Sequence, residues 1–185
     1  MKNEDSLQAI LNYPANKWMS FVDDNIKISQ LRIPGTHNSG AGSNPKRTLS
    51  KAIQFAAQCH TLDINSQLEM GIRYIDIRLK LDSDSNLNIY HGLIPYSLSF
   101  FDVLTIISNF FKRNPTECVF VRLHREDGDP GGFEYRKNVS DEAFVGTLVH
   151  QLDKFVEIEK KKQQLSIQVD SINHDLCNII YNEPD

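Results

Sequence analysis

Cysteine and tryptophan are scarce in this chain of 185 residues, which contains three cysteines and one tryptophan. Cys59, Cys118 and Cys177 have no short paired spacing, so the sequence predicts neither a disulfide framework nor a zinc site, and buried thiols are expected. No apolar run is long enough to cross a bilayer, and the first residues lack the apolar core of a standard signal peptide. We therefore expect a cytoplasmic location or peripheral attachment to a membrane, with export by another route as the alternative.

Charge of either sign is present only in ordinary amounts. Charged residues make up 24% of the chain, hydrophobic residues 40%, and the formal net charge is -4. This composition predicts one globular domain over residues 1–185 and excludes a general electrostatic attraction for nucleic acid or anionic lipid.

Two histidines flank a strand-like segment. His37 precedes residues 71–79, whose alternation places Asp76 and Arg78 on one face, and His91 follows them. Two imidazoles, a carboxylate and a fixed cation are the groups that general acid-base cleavage of a phosphodiester requires, because one histidine can stand neutral and another charged near neutral pH. A structural Asp76–Arg78 ion pair explains the same strand equally well. His37 alone is typical of a loop histidine that caps a turn.

The chain resembles the catalytic domain of phosphatidylinositol-specific phospholipase C, in particular its bacterial and fungal type. The segments that carry the resemblance occur in the family's order: Ile33 to Gly40 (IPGTHNSG), Gly71 to Arg78 (GIRYIDIR), Tyr90 to Gly92 (YHG), Asn114 to Glu117 (NPTE) and Val119 to Glu126 (VFVRLHRE). The resemblance implies an α/β fold, a TIM-type (β/α) barrel. It also implies cleavage of phosphatidylinositol, or its glycan-linked form, to diacylglycerol and a cyclic inositol phosphate.

The same resemblance assigns catalytic roles. His37 corresponds to the general base that takes the inositol 2-hydroxyl proton, and His91 to the general acid that protonates the glycerol oxygen. Arg78 corresponds to the cation on the phosphate, with Asp76 beside it, where the carboxylate can orient the arginine or the acid. Asn38 stands where bacterial enzymes usually carry an aspartate.

A second group is expected to bind substrate, namely His124, Arg125 and Glu126. His124 occupies the place of a bacterial lysine or a eukaryotic glutamate, so the charge there is open. In calcium-dependent relatives the position of Arg78 is an acidic metal ligand, and an arginine predicts an enzyme without a metal or other cofactor.

The pattern along the chain alternates helices and strands. The expected elements are a strand at 31–33, helices at 48–58, 65–70, 99–112 and 141–157, a hairpin around the polar turn 82–86, a strand at 118–123 and a loop at 127–132. The apolar segment 93–96 is expected to be a loop that contacts the bilayer or packs against the next helix, and 174–181 is a candidate strand.

Length limits this interpretation. A complete barrel takes about 250 residues, so only the first half to two-thirds is expected here, and the domain is expected to be incomplete on its C-terminal side. A homo-oligomer or a complementing chain would then complete the barrel around phosphatidylinositol in a membrane surface. Two alternatives remain: an inactive fragment or headgroup-binding module, and a metal-dependent phosphodiesterase of a related barrel family.

Overall fold

A computed structural model describes residues 14–42, 58–82, 84–126 and 140–181, with side chains described up to residue 166 in the last segment. The chain divides into two compact units, Met1–Val139 and Ser140–Asp185. In the first unit the strands are β1 (Gly35–Thr36), β2 (Tyr74–Leu81), β3 (Leu87–His91), β4 (Ile94–Ser99) and β5 (Phe120–Arg125). The helices among its described residues are α1 (Ile64–Glu69) and α2 (Phe100–Arg113), with 3-10 helices at Ala15–Phe21, Ile28–Gln30 and Ser39–Gly42.

Strand β2 is the centre of the sheet that the described residues form. It pairs in parallel with β1 and, over six residue pairs from Tyr74–Phe120 to Leu79–Arg125, with β5. The end of β2 pairs antiparallel with β3, and β3 pairs antiparallel with β4. Since β5 runs along one edge of β2, the strands β1 and β3 share the other edge, and the expected α/β class is confirmed.

The face of β2 that carries Ile75, Ile77 and Leu79 is fully buried. Because side chains alternate along a strand, Tyr74, Asp76 and Arg78 lie on the opposite face. The alternation predicted from the sequence is therefore observed, and it separates a packed face from a polar one.

The two α-helices described in the first unit both begin at a side-chain cap. The Asp63 carboxylate accepts the Ser66 N–H at the start of α1, and Ser99 and Asp102 form a capping box at the start of α2. After α1 the chain turns at Gly71, whose φ of 96° lies in the left-handed region that glycine favours. These ends agree with the predicted helices to within a residue or two.

A buried ion pair ties β2 to the segment before β5. Arg73 and Glu117 have side chains with no exposed surface, and Arg73 Nη2 lies 2.8 Å from Glu117 Oε2. Arg73 also donates to the carbonyl oxygens of Leu68, Ile72 and Asn16. Glu117 Oε1 accepts the Met19 N–H at 3.1 Å. Two residues of the family motifs therefore serve the fold.

The first strand is displaced from its predicted position. Residues 31–34 have no regular structure, and β1 begins at Gly35. Pro34 has no N–H to donate, and its carbonyl accepts the N–H groups of both Arg73 and Tyr74 (2.9 and 3.0 Å). Regular pairing with β2 therefore starts only after the proline.

The apolar segment at 93–96, expected as a loop, belongs mostly to strand β4. Pro95 is the partner of Tyr90 on β3, a position that the outer strand of a sheet tolerates. Tyr96 is fully buried, whereas Leu93, in the turn before β4, is 56% exposed. Within the predicted bilayer-contact segment, only Leu93 presents a large apolar surface.

Other predictions need smaller corrections or cannot be compared. Strand β5 begins two residues later than predicted, and the cysteines Cys59 and Cys118 are exposed rather than buried. The predicted loop at 127–132, nearly all of the predicted helix at 48–58 and the side chain of Cys177 lie outside the described residues.

The second unit contains α3 (Asp141–Tyr181), which is 41 residues long. The helix continues past the predicted end at Glu157 and through the candidate strand at 174–181, which is helical instead. Ion pairs Glu157–Lys161 (2.7 Å) and Glu159–Lys162 (2.9 Å) lie at helical spacing across the predicted end, and such pairs stabilise a helix. The described part of the chain contains no helix with the length and hydropathy of a membrane span.

Candidate active site

His37 follows β1 directly and lies beside the polar face of β2. Its Nδ1 is 3.1 Å from Asp76 Oδ2, and its Nε2 is 3.2 Å from Arg78 Nη2. The imidazole is 70% exposed, whereas the Asp76 side chain is only 3% exposed. An accessible histidine therefore rests on a buried carboxylate.

These two contacts define one tautomer of His37. A carboxylate only accepts hydrogen bonds and a guanidinium only donates them, so Nδ1 carries the hydrogen and Nε2 carries the lone pair. The carboxylate orients the ring in the way that an aspartate orients the histidine of a catalytic triad. His37 is therefore arranged to accept a proton at Nε2.

Asp76 is the most highly connected group of the site. Besides His37, its Oδ2 accepts the backbone N–H of Asn38 at 3.1 Å, and its Oδ1 accepts from Arg122 Nη1 at 3.2 Å. Arg78 Nε lies 3.6 Å from Oδ2 and has no hydrogen-bond partner among the described residues. The predicted neighbourhood of Asp76 and Arg78 is present, and the carboxylate also contacts His37 rather than only the arginine.

Asn38 supports the site mainly through its backbone. The residue is buried and has a φ of 54°, a left-handed conformation that asparagine tolerates better than most residues. This conformation directs its N–H to Asp76, while its side-chain Nδ2 lies 3.6 Å from Cys59 Sγ. An aspartate at this position could form the same backbone contact.

His91 ends β3 and reaches the same region through two neighbours. Its Nδ1 lies 3.6 Å from Cys59 Sγ, the atom that Asn38 also contacts. The N–H of Gly92, the next residue, donates to Glu126 Oε1 at 2.9 Å, and Glu126 Oε2 lies 3.3 Å from Arg78 Nη1. The hairpin that carries His91 is therefore linked to Asn38 through Cys59 and to Arg78 through Glu126.

The second predicted group divides between the two faces of β5. His124 pairs with Arg78 in the parallel register, and its Nε2 lies 4.0 Å from Glu126 Oε2. Glu126 is buried against Arg78. By strand alternation Arg125 lies on the face opposite His124, so only two of the three residues share the polar face.

Arg122 and Tyr74 belong to the site but were not among the predicted residues. They lie at an open depression of about 250 Å³ beside β1. Its lining residues are Gly35, Thr36, His37, Tyr74, Asp76 and Arg122. The signal for Arg122 was present in the sequence, because alternation in residues 120–125 places it on the same face as His124. Its register opposite Asp76 could not be obtained from alternation alone.

Burial also affects a tyrosine beside this region. Burial, reinforced by the nearby Cys59 thiol, raises the pKa of Tyr96 to about 12.

Among the described residues, no three histidine, cysteine, aspartate or glutamate side chains are grouped closely enough to hold a metal ion.

Comparison with known proteins identifies relatives for most of the chain. The model of the family "Phosphatidylinositol-specific phospholipase C, X domain" matches residues 31–168. The chain is 42% identical over 121 residues to the 1-phosphatidylinositol phosphodiesterase of Listeria monocytogenes, covering 65% of this chain and 36% of that protein. It is 28% identical over 128 residues to human PI-PLC X domain-containing protein 2, covering 56% of this chain and 41% of that protein.

A solved structure gives the same result. The chain is similar to the phosphatidylinositol-specific phospholipase C from Listeria monocytogenes, with a TM-score of 0.58 and 30% sequence identity. The superposition covers 80% of this chain and 47% of that one. This chain therefore spans less than half the length of the relatives that it matches here.

Proposed function

We propose a function from an established premise: the chain belongs to the phosphatidylinositol-specific phospholipase C X-domain family. We infer that it contributes the catalytic histidines of a phosphodiesterase that acts on phosphatidylinositol in a membrane surface, or on its glycan-linked form. The products would be diacylglycerol and a cyclic inositol phosphate. The observation that carries this proposal is the exposed His37 held by the buried Asp76, beside Arg78.

His37 is the proposed general base. Asp76 holds the hydrogen on Nδ1, so Nε2 can take the proton of the inositol 2-hydroxyl as its oxygen attacks the phosphorus. The imidazolium that forms would be stabilised by the same carboxylate. His91 is the proposed general acid, which would protonate the glycerol oxygen as its bond to phosphorus breaks.

Arg78 is the proposed phosphate-binding cation. Cleavage of a phosphodiester depends on alignment and on stabilisation of charge at the non-bridging oxygens, which a guanidinium fork can supply. In the structure its Nη1 contacts Glu126 and its Nη2 contacts His37. An incoming phosphate would replace the contact with His37 and leave Nε2 of that histidine facing the substrate hydroxyl.

We further propose that the described sheet is the first half to two-thirds of a TIM-type barrel and that residues 1–185 act as one incomplete domain. The parallel order β1, β2 and β5 and the similarity to part of a bacterial phospholipase C support this arrangement. Glu126 and His124 would then bind substrate on the polar face, with the remaining wall supplied by a second copy or by another chain.

A headgroup-binding module without turnover is the second candidate. The depression at His37 is open, and it is lined by His37 itself and by residues of β1, β2 and β5. A headgroup could bind to Arg78 and Arg122 without the groups that a full barrel adds. This candidate predicts binding to vesicles that contain phosphatidylinositol, with no product.

The deciding experiment measures both hydrolysis and binding with the 185-residue chain. Release of cyclic inositol phosphate from phosphatidylinositol vesicles should be detectable by phosphorus NMR, should persist in excess chelator, and should disappear in His37→Ala. Arg113→Gln, at an ion pair with Glu69 outside the site, is the matched control and should retain activity. Activity that chelator abolishes and calcium restores would favour the metal-dependent alternative. Vesicle binding without turnover would favour the binding module.

A further inference from the structure

Arg122 makes the hydrogen bond to Asp76 that would be expected of Arg78. Arg122 Nη1 lies 3.2 Å from Asp76 Oδ1 with hydrogen-bonding geometry, whereas Arg78 Nε lies 3.6 Å from Oδ2 without it. The register explains the contact, because Arg122 on β5 is the direct partner of Asp76 on β2. The two carboxylate oxygens are thus divided: Oδ1 contacts Arg122, and Oδ2 contacts His37 and the Asn38 N–H.

This division determines how strongly Asp76 attracts a proton onto His37. A buried carboxylate beside an imidazole favours the charged imidazolium, and an imidazolium cannot act as a base. A cation on the other oxygen offsets that effect, because it stabilises the carboxylate independently of the histidine. The Arg122 side chain is 50% exposed and the Asp76 side chain is 3% exposed. The positive charge that compensates the buried carboxylate therefore lies at the open depression.

The other charged groups around His37 do not replace Arg122. Arg78 contacts His37 Nε2 directly, but its charge is shared with the buried Glu126, which also faces His124 at 4.0 Å. His60 contacts only the backbone carbonyl of His37 among the contacts described. With both carboxylates and both guanidiniums charged, the group has no net charge when His37 is neutral, and loss of Arg122 would leave it negative.

We propose that Arg122 is a positioning residue that holds Asp76 and balances the charge of this carboxylate beside His37, the proposed base. The catalytic significance rests on the proposed function, but the electrostatic statement does not. Alternation along residues 120–125 places Arg122 on the same face as His124 but does not show which residue of β2 it faces. Only the pairing of β5 with β2 places it on the carboxylate.

The test follows the imidazole resonances of the chain during a pH titration by carbon-detected or proton–carbon NMR. His37 is identified among the six histidines by the signal that disappears in His37→Gln. In Arg122→Gln the pH at which His37 gains its proton should rise by about one unit, the lower end of the effect of a nearby charge. Arg122→Lys, which keeps the charge, should restore most of the difference. Arg113→Gln should leave it unchanged.

A double variant distinguishes an effect through Asp76 from a direct one. In an Asp76→Asn background, Arg122→Gln should change the titration of His37 by clearly less. A midpoint that does not move in Arg122→Gln, or one that moves equally in the Asp76→Asn background, would overturn the proposal. Arg122→Lys and Asp76→Asn provide the same decision if Arg122→Gln does not fold, because the lysine should keep the midpoint and the asparagine should lower it.

Activity is a separate readout. If the chain hydrolyses phosphatidylinositol, the acidic limb of kcat/KM should move upward in Arg122→Gln by the same interval. If the wild-type chain shows no hydrolysis while the titration of His37 shifts as expected, the proposed function fails and the assignment of Arg122 stands. If hydrolysis occurs and the titration of His37 does not shift, the proposed function stands and the assignment of Arg122 fails.

Discussion

Replacing Glu117 with glutamine should destabilise the fold much more than any exposed charge in the described chain. The change leaves the Arg73 guanidinium buried without its carboxylate, since both side chains have no exposed surface and their closest atoms are 2.8 Å apart. The amide would also place its own N–H groups opposite those of Arg73 or Met19, which are donors as well. Removing one partner of a buried pair costs about 3–5 kcal/mol.

The magnitude is large relative to the stability available. A domain of this size has a free energy of unfolding of about 5–15 kcal/mol, so the variant should lose a major fraction of it. The matched control is Glu69→Gln, which breaks the pair with Arg113 at 2.9 Å on the surface, where the two side chains are 34% and 52% exposed. Exposed pairs contribute about 0.2–1 kcal/mol, so the control should change little.

The chain contains its own probe for this experiment. Its single tryptophan, Trp18, donates through Nε1 to the Gly71 carbonyl at 2.9 Å and precedes Met19, whose N–H contacts Glu117. Urea unfolding followed by Trp18 fluorescence and, separately, by far-ultraviolet circular dichroism gives the two free energies and tests for a two-state transition. Equal losses in Glu117→Gln and Glu69→Gln would refute the reasoning.

Three further predictions concern chemistry, pH and assembly. If His91 protonates the glycerol oxygen, His91→Ala should lose activity on phosphatidylinositol but keep most of it on a nitrophenyl inositol phosphate, whose leaving group needs no proton; His37→Ala should lose both, and rescue of His37→Ala instead would reverse the roles. Because burial raises the pKa of Tyr96 to about 12 while an unfolded tyrosine ionises near about 10, the unfolded state releases its proton first, so stability should fall between these pH values in the wild type and stay flatter in Tyr96→Phe; parallel curves would contradict this. Sedimentation should show a dimer or larger oligomer, because Val121 and Leu123 on β5 are more than a third exposed, and a compact monomer that unfolds cooperatively would count against the proposed incomplete barrel.

Local chemistry made part of the fold predictable. Side-chain alternation in residues 71–79 gave the two faces of β2, and the cap at Ser99 with the apolar spacing behind it gave α2. These features depend on neighbours within a few residues, so the sequence contains most of the information that decides them. The α/β class and the family followed from the order of such segments.

Longer-range pairing was harder to predict. The apolar segment 93–96 was expected to be a loop, but Pro95 pairs with Tyr90 of β3 on the outer strand of the hairpin, and only the hairpin register shows this. The predicted end of α3 at Glu157 is followed by charged residues that pair with one another along the helix, so the helix continues. In the hairpin the deciding interaction is with a neighbouring strand, whereas in α3 it is local to the helix.

The candidate site shows the same division. His37, Asp76 and Arg78 could be named from their motifs, and the structure brings them into contact. Alternation separates Arg122 from Arg125, but the position of Arg122 opposite Asp76 could not be predicted, because a parallel pairing has no register signal in a single sequence. The assignment required knowing that Asp76 and Arg122 are opposite each other.

Arg73, directly before β2, and Arg78, within it, lie in different environments. This difference affects how any loss of activity in a variant is interpreted. Arg73 belongs to the buried cluster with Glu117, whereas Arg78 lies five residues later on the polar face beside His37. If the proposed function holds, either substitution would reduce turnover, the first because the sheet loses its connection to the segment before β5, and the second because the phosphate would lose its proposed cation. The free energy of unfolding distinguishes the two causes, since a partly exposed Arg78 has water to replace its partners and a fully buried Arg73 does not. Membership of a family motif therefore does not show which arginine has a catalytic role. The burial of each side chain and the identity of its partner do.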